Sequence, residues 1–130
     1  MMNGDYETAL AEWVPFAEKG DALSQFAVGF MYDHGEGVPE NNKIAVEWYT
    51  KEAEQGYADA QTNLGNMYRN GYGVLTDYVR AYIWYNLGAY NGNKLGADYK
   101  STISEIMTSS DISKAQEISS RCLESGYTDC

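Results

Sequence analysis

The sequence holds one histidine, two cysteines, two prolines and nine lysine or arginine residues among 130. Each scarcity excludes something. A nucleophile–histidine–acid arrangement would have to use His34, which sits beside a glycine loop with no serine or cysteine close in sequence. Two thiols without further histidines are too few for a zinc site. Asp33, Glu36 and Glu40 surround the same loop but lack the spacing of a calcium loop. The chain is therefore read as non-enzymatic, with no metal and no cofactor. Nine basic against nineteen acidic residues give a net charge of −10 and no basic footprint, so nucleic acid is a poor partner. No apolar run reaches the roughly 18 residues that a membrane helix needs. The opening Met1-Met2-Asn3-Gly4-Asp5 shows no apolar leader, which does not fix a compartment, since a processed chain would begin the same way.

Two of these features carry positive information. The acidity is uneven: residues 1–59 hold three basic and twelve acidic residues, net −9, and residues 60–130 hold six and seven, net −1. A solvated acidic face that keeps the chain soluble accounts for that half, and a basic protein or peptide is the other reading. Cys122 and Cys130 lie eight apart at the C-terminus. Two readings stand. A disulfide would close a short tail loop and imply an oxidising compartment, periplasmic or secreted. Otherwise one thiol is buried on a helix and the other is free at a frayed end, as in a cytoplasmic chain.

What the chain has in quantity is internal repetition. Residues 22–56 recur as 58–92 under a shift of thirty-six. Gln25 meets Gln61, Gly29 meets Gly65, and Met31-Tyr32 meets Met67-Tyr68. Gly35, Gly37 and Val38 meet Gly71, Gly73 and Val74, and Trp48-Tyr49 meets Trp84-Tyr85. A fixed period of this length marks stacked supersecondary units.

In chain order, residues 4–20 read as a half repeat, a second helix without its first. Ala9, Trp13 and Ala17 step by four along one face. Asp5 is its expected cap, and Pro15 should kink or open it. A helix lacking its partner leaves one apolar flank, through which the chain could associate with itself. Repeat one, 22–56, places helices over 22–34, capped by Asp21, and 43–55, opened by Asn41 or Asn42. Gly29 sits mid-helix at a cost of about 1 kcal/mol against alanine, as does Gly65, so close helix–helix approach is expected at both. Gly35 and Gly37 supply backbone dihedrals with φ > 0. A phosphate cradle is disfavoured there because no Lys-Ser or Lys-Thr follows. Repeat two, 58–92, has helices over 58–70 and 77–90, capped at Asp77. Two further helices, 94–107 and 112–123, cap the array within 94–124, and 125–130 form a tail.

The pattern Gly65-x-Met67-Tyr68-x-x-Gly71-x-Gly73-Val74, Ala81-x-x-Trp84-Tyr85, Ala89, with its copy from Gly29 to Ala53, resembles the Sel-1-like repeat, a relative of the tetratricopeptide repeat. Asn91 and Asn93 depart from the usual residues after the second helix. The resemblance implies an all-α fold: a solenoid of antiparallel helix pairs, wound as a right-handed superhelix of about seven helices. It implies an adaptor that binds a protein or peptide on its concave face. By that analogy Leu64, Gly65 and Tyr68 pack inward, while Thr62, Asn66, Arg69 and Asn70 face the concave side with the equivalents Phe26, Phe30, Asp33 and His34. The alternative for Phe26 and Phe30 is that they pack on the first helix as core. Some cysteine-rich relatives are described as binding or hydrolysing β-lactams, and the resemblance therefore implies an alternative function: binding or hydrolysis of a β-lactam or peptidoglycan fragment. Those relatives carry a disulfide inside each repeat, which this chain lacks.

Overall fold

The structure, a computed structural model, describes residues 3–130. Its described residues form seven helices and no strand: α1 (Asn3–Glu18), α2 (Ala22–His34), α3 (Asn42–Ala53), α4 (Ala58–Asn70), α5 (Tyr78–Tyr90), α6 (Lys94–Ser104) and α7 (Ser109–Glu124). Each helix packs chiefly on its neighbours in sequence, which is the organisation of a solenoid. The last helix departs from this order and folds back on α5, where Ala115, Ser119 and Cys122 are buried.

The local signals act where the sequence places them. Asp21, Asn41 and Asp77 each accept a hydrogen bond from the backbone N–H three residues on, satisfying one of the helix's unpaired donors. The expected cap Asp5 falls inside α1, and its side chain lies outside the described residues. Pro15 does not break α1, which runs on to Glu18. It stands in the last turn, so the one backbone bond it forfeits is to an exposed residue, Ala11, where water serves instead. Other boundaries move. Helix α3 ends at Ala53, two residues early. Helix α6 ends at Ser104, three residues early, and α7 begins at Ser109, because Thr108 is the cap and its hydroxyl accepts from the Asp111 N–H.

Gly29 and Gly65 are where two helices of a pair meet. A Cβ on Gly29 would fall 2.7 Å from the ring of Tyr49, and one on Gly65 2.6 Å from the ring of Tyr85. Each tyrosine ring lies flat against bare backbone, and no larger residue fits beneath it. The loop glycines do a second job beyond their dihedrals. Gly37, with φ of 78°, rests on the backbone of Tyr6 and Glu7 at the start of α1; Gly73, with φ of 75°, rests on Asn42 and Lys43 at the start of α3. These contacts are again thirty-six residues apart.

A polar lacing repeats in the same register. Gln25 donates to the Ala17 carbonyl and accepts from Gln55; Gln61 donates to the Ala53 carbonyl and accepts from Asn91. Both glutamines are buried. Each gives a second donor to a carbonyl at the end of one second helix, which already accepts from the Gly20 or Gly56 N–H, and ties that helix to the next. Asn91 thus performs the work of Gln55, and Asn93 caps α6 through the Gly96 N–H while its amide holds Asp59.

The core is in two parts. The larger runs from Ala45 through Leu64, Tyr85 and Leu87 to Ile103 and Cys122. The smaller joins α1 to α2 through Leu10, Ala17, Val28 and Met31, and Tyr32 touches both. Cys122 and Cys130 are joined in a disulfide that closes the tail against α7.

Candidate binding groove

The first helices of the two repeats, α2 and α4, border a groove of about 600 Å³, lined also by the loop residue Tyr72 and by Tyr99 of α6. One wall is aromatic. Phe26, Phe30 and His34 step by four along α2, so their side chains share a face. The Phe26 and Phe30 rings lie 6.0 Å apart, and Phe30 stacks on His34 with centroids 4.0 Å apart. Tyr49 extends the row from α3, 6.1 Å from Phe26. Phe26 and Phe30 are 36% and 38% exposed and belong to neither core cluster, so they are not packed away on the first helix.

The facing wall is polar. Asn63, Asn66 and Asn70 line it from α4. The Tyr85 hydroxyl donates to Asn66 Oδ1 at 2.6 Å, which fixes the amide and leaves its NH₂ turned outward as a donor. Asp33, half-buried on α2, borders the groove beside the Tyr49 hydroxyl. Burial pushes that phenol well above its usual pKa, and the negative charges of Asp33 and Glu52 push it further, so Tyr49 stays a neutral donor. Burial also raises Tyr85, against the lowering effect of Arg69.

Six of the eight residues expected on the concave face line this groove: Phe26, Phe30, Asp33, His34, Asn66 and Asn70. Arg69 stands behind it, interacting with the Tyr85 hydroxyl. Thr62 is not on the surface. It is 3% exposed, covered by α5 and α6 where Gly88 and Gly96 close on its hydroxyl. Tyr49, Asn63, Tyr72 and Tyr99 join the groove without having been expected there. The repeat gave no signal for them: Tyr49 lines the groove, while its copy Tyr85 is fully buried and meets it only through Asn66.

A second, apolar groove of about 630 Å³ lies outside it, between α1 and the back of the aromatic row, lined by Trp13, Leu23, Phe30 and Met31 among others. Trp13 occupies the repeat position of Tyr49 and Tyr85, yet it is 39% exposed where they are 3% and 0%. Both tyrosines are covered by the glycine of a paired first helix, and among the described residues no such helix lies over Trp13.

Comparison with known proteins places this architecture. The Sel1 repeat family matches residues 22–57 and 58–93, the two copies in full. The chain belongs to the Sel1 repeat family. Among solved structures it is similar to a protective antigen present in uropathogenic Escherichia coli strains, described as displaying an SLR fold. That match has 28% identity and a TM-score of 0.89, over 97% of this chain and 28% of that one. It is similar also to a Sel1 repeat protein from Oxalobacter formigenes, at 35% identity and a TM-score of 0.69, over 74% of this chain and 40% of that one. The chain thus spans less than half the length of either protein. No curated relative matches it. The Sel1 fold commonly mediates protein–protein interaction. No described helix is long and apolar enough to cross a membrane.

Proposed function

We propose that this Sel1 array is a non-enzymatic adaptor that holds an extended peptide segment of a partner protein in the groove between α2 and α4. The observation that carries the reading is the pairing of an exposed aromatic row with a row of asparagine amides. Rings exposed in a concave surface anchor an apolar side chain. An asparagine amide offers one donor edge and one acceptor edge, the complement of a peptide bond. The acidic N-terminal half favours a peptide carrying positive charge. The Cys122–Cys130 disulfide supports an oxidising compartment. Both cysteines lie outside the two repeats, which favours the adaptor reading over the β-lactam or peptidoglycan-fragment alternative.

The test is selection from a displayed random-peptide library on the purified chain. Selected peptides should lose at least about tenfold in affinity on Phe30→Ala, the effect of removing one anchor ring. Peptides indifferent to Phe30→Ala, Asn66→Ala and Asn70→Ala would remove the groove from consideration. The uncovered Trp13 flank supports a second, weaker role in self-association. Sedimentation at rising concentration should then show dimers that Trp13→Glu abolishes, and a strict monomer would end that idea.

A further inference from the structure

Under the thirty-six-residue shift, positions 26, 52 and 60 correspond to 62, 88 and 96. The later set, Thr62, Gly88 and Gly96, lies on α4, α5 and α6 and is all buried. A Cβ on Gly96 would fall 2.9 Å from the Thr62 hydroxyl and 3.0 Å from the backbone of Ala89, so α4, α5 and α6 meet with no space between them. The earlier set, on α2, α3 and α4, is Phe26, Glu52 and Ala60. There the seam opens into a cavity of about 380 Å³ between α2, α3 and α4.

Glu52 lines that cavity at 8% exposure, and its Oε1 has no hydrogen-bond partner. A buried carboxyl oxygen without a partner is costly, and packing does not require it, because the second repeat closes the same seam with glycine. No lysine or arginine lines the cavity. The neighbouring Lys51 is turned away, its ammonium 5.9 Å from the Trp48 ring. Asp59 stands across from Glu52 in the first turn of α4, offsetting the positive end of that helix. Phe26 and Tyr57 add two rings to the wall. Two carboxylates cannot complete the coordination of a hard metal ion. With aromatic faces beside them, they suit an organic cation.

We propose that this cavity receives one basic side chain, the guanidinium or ammonium of an arginine or lysine presented by a protein partner, with Glu52 as the pairing carboxylate, Asp59 as second acceptor and the rings of Phe26 and Tyr57 as walls. Phe26 lines both this cavity and the groove, so a peptide anchored on Phe30 can reach it. The inference therefore deepens the peptide-binding reading. Burial, with the charge of Asp59, raises the Glu52 carboxyl to about 7, and an arriving cation would draw it into its charged form.

The test uses the whole chain and two small probes, Nα-acetyl-arginine methylamide and its uncharged citrulline counterpart, each titrated to about 20 mM against amide NMR spectra. The arginine probe should shift the amides of 50–53 and 57–60. Its affinity should fall at least about fivefold on Glu52→Gln and at least about twofold on Phe26→Leu. Glu117→Gln, an equal change of charge on an exposed face of α7, should leave it unchanged, and the citrulline probe should bind at least about fivefold more weakly. Equal binding of the two probes, binding within about twofold of wild type in Glu52→Gln, or no shifts at all would overturn the proposal. Shifts confined to Asn66, Asn70 and Tyr72 would overturn it too, while leaving the groove reading intact.

Discussion

Replacing Glu52 by glutamine should make the protein more stable, and only above a definite pH. The side chain is nearly buried on α3, one of its oxygens lacks a partner, and its nearest charge is the carboxylate of Asp59. Both conditions oppose ionisation and raise the carboxyl from 4.5 to about 7. A carboxyl raised in the folded state favours folding in its protonated form. Its contribution is intact below pH 4.5, the unfolded value, and is lost as pH climbs towards 7. At about 1.4 kcal/mol per pH unit the full interval is worth roughly 3 kcal/mol. The carboxyl borders a cavity open to the surface, so roughly half of that, about 1–2 kcal/mol, is expected. Glutamine keeps the shape and cannot ionise. Urea unfolding of the two proteins across pH 4 to 8.5 should show equal stability at the acid end and a gap opening through neutrality. The glutamine variant should gain about 1–2 kcal/mol at the alkaline end. A gap that stays constant with pH, or a variant that is weaker at pH 8.5, would refute the reasoning.

Gly65→Ala should cost about 1–3 kcal/mol by thermal melt, since its Cβ would lie 2.6 Å from the Tyr85 ring and 3.2 Å from the Ala81 carbonyl. Gly92→Ala meets nothing within 4 Å and should cost only the strain of its φ of 103°, about 1 kcal/mol. Tyr85→Ala should lose about 3–5 kcal/mol, because the ring is fully buried. Its repeat counterpart Trp13→Ala should lose less than about half of that, and equal losses would mean that Trp13 is covered. Cys130→Ser should lower stability by about 2–3 kcal/mol in non-reducing denaturation and leave the reduced protein unchanged.

Much of this architecture was legible because the repeat carries its own controls. Asp21, Asn41 and Asp77 share a phase with the helices they cap, and Gly29 with Gly65 announced close approach before any ring was seen to cover them. The aromatic face of α2 was legible for the same reason. Its exposure stood there as one of two readings, because burial depends on how α1 packs against it, which no local pattern sets. Thr62 was misplaced on the opposite ground. The copy fades after Gly92, so nothing in the pattern told that α6 would arrive over it. Asn91 and Asn93 looked like departures, yet their amides complete the buried lacing and the α6 cap. Hydrogen-bond partners thirty or more residues away leave no local trace. Nothing in the sequence marks Glu52, and only the contrast with Gly88 in the folded seam sets it apart.

The most direct test of the groove places a photocrosslinking residue at Asn70, on the groove wall, and separately at Glu47, exposed on α3 and absent from the groove lining. Irradiated with a library-selected peptide, Asn70 should form the adduct and Glu47 should not. Adducts that form equally at both positions, or at Glu47 alone, would contradict a working surface between α2 and α4.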